Sequence, residues 1–373
     1  MARGLRFLVA PNPFKGSLSA QEAAGAMAEG LRRARPRPSI QLRPLADGGP
    51  GTLQALRAAR GGRLRQALVA GPYGAKVRAA WLELPGGLAV IESAQACGLH
   101  LVGPWRGPRQ ALLAHSQGLG ELLLAVERAG MRQAWVGLGG SACTDGGTGM
   151  ARALGWRFLD RQGRELALGG GSLARLAKAL APDGPPLKME VRALCDVKSP
   201  LCGPQGAARM FSPQKGASAA QARALEQGLR ALARRLPAGL ARRPGAGAAG
   251  GLGAGLMAFC QARLAPGADS LLALCGFAEA LKACDWVVTG EGRLDAQSLL
   301  GKLPLRVAAK ARALGKPCLV AAGSIAPGLP PLARRGASQL LDLSRACKAA
   351  RVNRAQIRSA LARWAQGLPS SPA

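Results

Sequence analysis

Short apolar runs alternate with amphipathic segments at the start of the chain. "RFLVAPN" predicts a strand, and Ser19 with Glu22 forms a capping-box pattern ahead of the helical segment "AAGAMAEGLRRA". "SIQLRPLADGG" predicts a second strand that ends at Asp47, and "GTLQALRAARGG" predicts the next helix. This strand–helix–strand–helix order is typical of a parallel sheet with crossover helices.

The middle of the chain has a different pattern. "RLRQALVAGPYGAKVRAAWLEL" predicts two strands around a turn, and "LAVIESA" predicts a third. From Trp286 the first pattern returns, with the strands "DWVVTGEG" and "PCLVAAGS" on either side of a long helix. The segment "SQLLDLS" and a final helix follow. The low-complexity stretch "PAGLARRPGAGAAGG" is interpreted as a loop.

We therefore predict an α/β protein with two α/β domains. One is a flavodoxin-like or Rossmann-like parallel-sheet domain built from both chain ends, residues 1–63 and 285–373. The other is a mixed α/β domain, residues 64–284, inserted between them. The predicted strands "RFLVA" and "DWVVT" should then lie in the same parallel sheet.

Composition narrows the classes of function. The chain has 373 residues, 48% of them hydrophobic, and only 3% aromatic, which disfavours base stacking on nucleic acid. A net charge of +31 would suit a polyanion partner. However, the basic residues are scattered over helix-like segments and are not gathered in one tract. We expect no specific nucleic-acid partner.

The cysteines and apolar runs indicate a cytoplasmic protein. The nine cysteines form no CxxC pair and no secretory signal precedes them, which favours reduced cytosolic thiols. No uninterrupted apolar span of membrane length occurs, so we expect no membrane association. With only two histidines, most histidine-based metal sites and triads are excluded.

Acidic residues recur beside glycines at predicted strand ends. These are Asp47, Asp145, Asp196, Glu291 and Asp295. Acids at the carboxyl ends of parallel strands can hold Mg²⁺ or accept a proton from a substrate hydroxyl. Each could instead be a turn former, because Asp-Gly is a common turn pair. Their recurrence favours a functional site.

Three lysines in glycine-bounded loops could supply the cationic side of such a site. They are Lys15, Lys215 and Lys302. A lysine in such a loop suits a phosphate or carboxylate, although surface solvation is the alternative for each. Acids, lysines and glycine loops together indicate phosphoryl transfer, in which charge is neutralised, Mg²⁺ is bound and a hydroxyl is aligned.

One motif keeps another class of function open. "GLGGSA", with Asp160 about twenty residues further on, imitates a dinucleotide-binding fingerprint after the predicted strand "QAWV". The loop that follows leaves room for only a two-turn helix before Gly155, which is too short for an ordinary crossover. A nicotinamide-dependent oxidoreductase therefore remains the alternative. A basic nucleic-acid binder without catalysis is a further one.

Taken in order, the motifs resemble one family along nearly the whole chain, the bacterial type 1 glycerate kinases. The matching stretches include "FKGSLSAQEAA", "ADGG", "GLGGSA" with "TDGG", "GGGSL", "PLCGPQGAA", "PQKGA", "PGAGAAGGLGAGL" and "TGEGRLDAQSLLGK". The resemblance implies phosphorylation of D-glycerate by ATP with Mg²⁺, most often at the 2-hydroxyl, in a cleft between two α/β domains. A homodimer is left open.

The resemblance and the motifs together define the candidate site residues. The catalytic candidates are Asp47, Asp196, Asp295 and Lys15. The candidates for binding substrate or phosphate are Ser141, Asp145, Lys215, Arg293, Lys302, Gly48, Gly139 and Gly140. Glu291 and Asp295 are the candidate Mg²⁺ ligands, and four acids, Asp47, Asp196, Glu291 and Asp295, are expected to face one cleft. We expect a strand that ends at Thr289, a flexible loop carrying both ligands, and a helix that begins at Gln297 and Ser298.

The chain departs from the family pattern at several positions. Asn12 and Pro50 stand where the family usually has carboxylates, and Pro13 follows Asn12. Leu119, Thr144 and Ser199 are further departures. A missing ligand or base would weaken or retune activity.

Overall fold

The structure is a computed structural model that describes most of the chain. The described ranges are residues 4–14, 16–103, 110–295, 298, 303–329, 336–347 and 352–368. Contacts divide the chain into two compact units, each of which has its own sheet. The first unit contains residues 1–47, 54–61 and 271–373, and the second contains residues 48–53 and 62–270.

The described residues form thirteen strands and fourteen α-helices. The strands are β1 (Arg6–Val9), β2 (Ser39–Leu42), β3 (Arg63–Ala70), β4 (Lys76–Leu84), β5 (Leu88–Glu92), β6 (Gln133–Gly137), β7 (Arg157–Leu159), β8 (Lys178–Leu180), β9 (Glu190–Leu194), β10 (Arg263–Ala265), β11 (Trp286–Leu294), β12 (Cys318–Ile325) and β13 (Gln339–Asp342). The α-helices are α1 (Ala20–Leu31), α2 (Thr52–Arg60), α3 (Ala94–Cys97), α4 (Gln110–Leu113), α5 (Gln117–Arg128), α6 (Thr148–Ala153), α7 (Ala207–Phe211), α8 (Ala219–Ala233), α9 (Ala248–Phe259), α10 (Gly267–Leu274), α11 (Phe277–Ala283), α12 (Leu303–Ala313), α13 (Leu343–Cys347) and α14 (Arg354–Gln366). Short 3₁₀ helices occupy Leu99–Leu101, Gly170–Arg175, Pro213–Lys215 and Leu240–Arg242.

The first unit contains a parallel sheet with the order β13-β12-β11-β1-β2. Strand β1 pairs in parallel with β11 on one side and with β2 on the other. In the first pair Phe7 lies opposite Trp286 and Val9 opposite Val288. The prediction that the two ends of the chain share one parallel sheet is confirmed.

Helices α1 and α14 cover one face of this sheet. The predicted capping box at the start of α1 is present, since Ser19 Oγ accepts from Glu22 N–H and Glu22 accepts from Ser19 N–H. Gly30 lets α14 approach, because a Cβ there would lie 2.7 Å from Leu361 Cβ. The buried core on this face includes Phe7, Met27, Val288 and Leu361.

The second unit contains a mixed sheet with the order β10-β9-β6-β5-β4-β3. Strands β3, β4 and β5 form an antiparallel meander, as the sequence predicts. Strands β5, β6, β9 and β10 are parallel. Together the two units confirm the predicted α/β class with one parallel and one mixed sheet.

The predicted domain limits at residues 64 and 284 stay a proposal. Contacts group residues 48–53 with the second unit and residues 271–284 with the first, so the compact units divide the chain within helices α2 and α10.

Three predicted elements are wrong in detail. Strand β2 ends at Leu42 and not at Asp47, and β11 continues past Thr289 to Leu294. The glycine-rich stretch expected to be a loop enters α9 at Ala248. Three residues from Ala249 to Gly251 are left-handed there (φ 53°, 73° and 92°) and kink the first turn. Among the described residues, no helix combines the length and the apolar character needed to cross a bilayer.

Candidate active site

The carboxyl ends of β2, β1 and β11 meet at one edge of the first unit's sheet. Backbone pairing continues beyond the strands, because Arg43 N–H donates to Val9 O (2.8 Å) and Leu45 N–H donates to Pro11 O (2.9 Å). Asp47 follows two residues later and is exposed. Ligands of parallel α/β sheets characteristically bind outside such strand ends. This edge is therefore the first part of the candidate site.

Ser298 connects the two acids of the "TGEGRLD" segment. Its hydroxyl lies 3.1 Å from Glu291 Oε1 and 3.3 Å from Asp295 Oδ1. In return, Asp295 N–H donates to Ser298 Oγ and Ser298 N–H donates to Asp295 Oδ1, both at 3.1 Å. A serine hydroxyl carries one proton, so it donates to only one of the two carboxylates at a time. The structure thus brings Glu291 and Asp295 together through one side chain.

The two acids reach this position in a different way from the predicted one. Glu291 lies inside β11, opposite Ala322 of β12, and is 6% exposed. Asp295 is the first residue beyond the strand and caps the turn that contains Ser298. Glu291 is therefore fixed by the sheet ladder and not by a flexible loop.

The predicted cationic partners of these acids divide into two groups. Arg293 is exposed, and its Nε lies 4.0 Å from Asp295 Oδ2. Lys15 and Lys302 lie outside the described residues. Gln297, an uncharged residue at which the next helix is expected to begin, also lies outside them. The helix expected to begin at Gln297 and Ser298 is described from Leu303.

Two glycine loops pack directly against each other in the second unit. Gly139 N–H donates to Gly48 O (3.3 Å), and a Cβ on Gly139 would lie 2.4 Å from Gly49 Cα. Gly140 is left-handed (φ 73°), and a Cβ there would lie 3.1 Å from Pro50 Cδ. These glycines were predicted to admit phosphate. Close backbone packing requires glycine at Gly139, whereas Gly48 (φ 87°) and Gly140 are left-handed. Their predicted contact with phosphate stays a prediction.

Gly139→Ala is expected to lower the free energy of unfolding by about 1–3 kcal/mol, because the added methyl overpacks the loop pair. Gly25→Ala is the matched control, since nothing lies within 4 Å of a Cβ at that position in α1. The control should be neutral or stabilising by about 0.5–1 kcal/mol. Urea unfolding of both variants measures the difference. Equal shifts would contradict the packing role.

Lys215 and Ser141 form a buried pair in the same unit. Lys215 is 2% exposed, and its Nζ donates to Cys143 O (2.6 Å) and to Ser141 Oγ (3.2 Å). Burial lowers the pKa of Lys215, while the Cys143, Cys97 and Asp145 side chains act in the opposite direction. A desolvated ammonium on two oxygens can orient a loop or receive an anion. The structure places the predicted Ser141 and Lys215 together.

Because the pKa of Lys215 is lowered in the folded chain, the free energy of unfolding should change with pH in the alkaline range. Between the lowered folded value and the ordinary value of 10.5, the unfolded chain binds more protons than the folded chain. The free energy of unfolding should therefore gain from rising pH across this window, relative to Lys215→Met. Chemical denaturation of both proteins at several pH values tests this. A stability difference that stays constant with pH would contradict it.

The carboxylate of Asp145 is surrounded by hydrogen-bond donors of the protein. It is fully buried, and its Oδ2 accepts from Ser116 N–H (2.8 Å), Ser116 Oγ (2.8 Å) and Gly149 N–H (3.1 Å). Its Oδ1 accepts from Gly147 N–H at 3.1 Å. These four bonds explain the buried acid structurally, and its predicted contact with substrate stays a prediction.

Asp196 lies beyond the end of β9 and is exposed. Its Oδ2 accepts from Ala268 N–H (2.8 Å) in the first turn of α10. A carboxylate at a helix N-terminus is stabilised there by the unpaired N–H groups and the dipole. This contact explains the acid structurally and leaves its predicted catalytic role a prediction. The shared cleft of the four acids also stays a prediction.

Glu92 was not singled out from the sequence. It ends β5, is 1% exposed, and accepts from Leu53 N–H (2.9 Å) and from Gln95 Nε2 (3.0 Å). The sequence does contain a pattern that points to Glu92, because the acid follows the apolar run at the start of "VIESA". The rule that selected the other acids also required neighbouring glycines, and Glu92 has none.

The dinucleotide-binding imitation fails in the structure. The segment after β6 forms the six-residue helix α6, as short as expected. Asp160 accepts from Arg164 Nε (3.0 Å) and from the N–H groups of Gln162 and Arg164. It therefore closes a local turn in the hairpin region and does not serve as a ribose ligand.

A parallel sheet with acids at its carboxyl edge, and a second unit with a mixed sheet, define the chain as an α/β protein. The family model of the glycerate kinase family matches residues 7–369. The chain belongs to the glycerate kinase family and is a kinase.

Individual relatives agree with this assignment. A glycerate kinase of Halalkalibacterium halodurans is 41% identical over 343 residues, which cover 90% of each chain. A glycerate 2-kinase of Escherichia coli is 42% identical over 328 residues, covering 86% of each chain. A crystal structure assigned as a glycerate kinase 2 from Salmonella typhimurium has a TM-score of 0.80 at 35% identity, and covers 97% of this chain and 98% of its own.

Proposed function

We propose that this chain transfers the γ-phosphoryl group of ATP to the 2-hydroxyl of D-glycerate, with Mg²⁺. The observation that carries the proposal is the acid pair Glu291 and Asp295, held by Ser298 at the carboxyl edge of the parallel sheet. Phosphoryl transfer needs little covalent chemistry from the protein, and it depends on positioning and on neutralised charge. The paired acids, with Arg293 Nε 4.0 Å from Asp295 Oδ2, meet both needs.

The residues present fit a magnesium ion of the kind that accompanies ATP. Mg²⁺ prefers oxygen ligands and is usually held by one or two carboxylates, with waters and substrate phosphates completing the shell. Among the described residues, no three His, Cys, Asp or Glu side chains form a dedicated metal cage. Glu291 and Asp295 provide the two carboxylates, and the ion would neutralise phosphate charge during transfer.

We assign the remaining roles as follows. Asp295 accepts the proton of the glycerate hydroxyl, while Asp47, Asp196 and Lys15 complete the catalytic set. Arg293, Lys302, Lys215 and Ser141 bind the anionic groups of the two substrates. The side chain of Asp295 is 29% exposed, so a substrate hydroxyl can reach it, whereas buried Glu291 is better suited to a fixed ligand role.

Location and assembly belong to the same proposal. The nine cysteines are all free thiols, as suits a reducing cytosol. Small-molecule substrates are the proposed partners, with no specific nucleic acid and no membrane. A homodimer stays a prediction.

A coupled ADP-release assay across small hydroxy acids tests the substrate. D-Glycerate with Mg-ATP should give the highest kcat/KM in a panel that includes L-glycerate, glycolate and lactate. Omission of Mg²⁺ with excess chelator should abolish turnover. ADP release that is independent of the hydroxy acid would contradict the proposal.

A further inference from the structure

We propose that the side-chain carbonyl of Asn12, together with the carboxylate of Glu291, binds a divalent cation at the carboxyl edge of the first unit's sheet. This inference rests on the proposed function, because the cation is the one that would accompany ATP. It adds a ligand that the acid pair alone does not supply.

The backbone places Asn12 directly opposite Glu291. Ala10 N–H donates to Val288 O (2.7 Å), and Asn12 N–H donates to Gly290 O (2.8 Å). These bonds extend the parallel ladder between β1 and β11, in which Val9 pairs with Val288. The same register sets Asn12 beside Glu291, at the spacing of about 4.8 Å that separates neighbouring strands.

Asn12 and Glu291 also share a face of the sheet. Val288 belongs to the core covered by α1 and α14. Side chains alternate along a strand, so Glu291 lies on the opposite face. Residues directly paired in a ladder point to the same side, and Asn12 therefore lies on the face of Glu291.

The carbonyl oxygen of Asn12 needs a partner. Asn12 is 4% exposed, and its Oδ1 is buried without a hydrogen-bond donor among the described residues. Buried amide oxygens are normally satisfied, and an exception indicates a missing water, ion or ligand. The orphaned oxygen is thus a second observation, independent of the acid pair.

The chemistry of the two neighbours favours a cation. The Asn12 Oδ1 atom and the carboxylate oxygens of Glu291 are all acceptors, so no hydrogen bond can join Oδ1 to them. A hard divalent cation is satisfied by both oxygens at once, and its remaining positions stay open for water and phosphate.

Substitutions at residue 12 should change the affinity for the cation in opposite directions, depending on the charge and the oxygen that they add or remove. An aspartate at residue 12 would add a negative ligand and strengthen cation binding, whereas an alanine would remove an oxygen. Asn353→Asp is the matched control, because it makes the same chemical change in the same unit. Asn353 caps α14, and an aspartate preserves that cap.

Binding of Mn²⁺ to the full chain, without nucleotide, is measured by the electron paramagnetic resonance of the free ion. Asn12→Asp should bind Mn²⁺ about tenfold more tightly than wild type, and Asn12→Ala about tenfold more weakly. Asn353→Asp should match wild type, and Glu291→Gln should bind weakly. Far-UV circular dichroism confirms that each variant is folded.

Two results would overturn the inference. One is wild-type affinity in both Asn12 variants, which would assign a water to the orphaned oxygen, and the other is wild type that binds no Mn²⁺ at millimolar concentration. The ADP-release assay separates this failure from that of the proposed function. Glycerate turnover with Asn12-independent Mn²⁺ binding overturns the inference alone, and Asn12-dependent binding without turnover overturns the proposed function alone.

Discussion

Asp295→Asn is expected to lower kcat by about two to four orders of magnitude, the range typical of general acid–base catalysis. The amide has the shape of the carboxylate but cannot take a proton from the substrate hydroxyl. Its Oδ1 can still accept from Ser298 N–H, the bond that closes the turn at 3.1 Å. The free energy of unfolding should therefore change by no more than about 0.5 kcal/mol.

Asp342→Asn is the matched control for Asp295. Asp342 ends β13 in the same sheet and closes a similar turn, since its Oδ1 accepts from Ser344 Oγ (2.6 Å) and Arg345 N–H (3.2 Å). Steady-state kinetics and thermal unfolding of both variants separate chemistry from turn structure. Near-normal turnover in Asp295→Asn would show that the acid serves only the turn.

Asp145→Ala is expected to have the largest effect on stability, a loss of at least about 3 kcal/mol. The change leaves the N–H groups of Ser116, Gly147 and Gly149 and the Ser116 hydroxyl without their acceptor. Each unsatisfied buried polar group costs about 1–3 kcal/mol, and a whole domain is stable by only about 5–15 kcal/mol.

Asp183→Ala provides the control for Asp145, because Asp183 is exposed in a turn and its replacement should change stability little. Urea unfolding measures both variants. If Asp145→Ala kept the wild-type stability and lost only substrate affinity, the acid would belong to the substrate site, as the sequence predicts, and not to the fold.

Local signals in the sequence were sufficient for much of the fold. The capping box of Ser19 and Glu22 fixed the start of α1, because a polar pair three residues apart satisfies N–H groups of the first turn. The apolar runs at both ends of the chain predicted one parallel sheet, and β1 pairs with β11. The capping box and the apolar runs are each defined by a few neighbouring residues, so they can be recognised in the sequence without knowledge of the tertiary structure.

Glycine was the residue that sequence reasoning interpreted least well. Gly290 and Gly292 suggested a loop after Thr289, but β11 continues through both. A Cβ on Gly290 would lie 2.0 Å from Ala321 O, so this glycine serves a close approach between strands. A glycine in the sequence does not show whether it serves a flexible loop, a phosphate-binding loop or close backbone packing, because the absence of a Cβ favours all three.

The same ambiguity explains the second glycine-rich stretch. A Cβ on Gly250 would lie 2.1 Å from Cys143 O, and one on Gly255 would lie 2.6 Å from Gly146 O. The residues after Ala248 thus pack α9 onto the loop that carries Asp145. The partner of this stretch lies about a hundred residues away in the sequence, so local pattern could not reveal it.

Candidate site residues were predictable by type and less so by role. The rule of acids at strand ends found Glu291 and Asp295, which Ser298 joins. It also selected Asp145, whose four bonds to protein donors give it a role in the fold that the sequence does not reveal. A rule based on acids does not apply to Asn12, an amide whose buried oxygen is visible only in the structure.

The most direct test of the proposed reaction is the proton-coupled phosphorus NMR spectrum of the product formed from D-glycerate and Mg-ATP. We expect one new phosphomonoester signal that grows as the γ-phosphate signal of ATP disappears. Transfer to the 2-hydroxyl makes that signal a doublet, because the phosphorus then couples to a single carbon-bound proton. A triplet would place the phosphate on the 3-hydroxyl. A spectrum in which only inorganic phosphate appears, or in which ATP is unchanged, would contradict the assignment of this chain as a glycerate kinase.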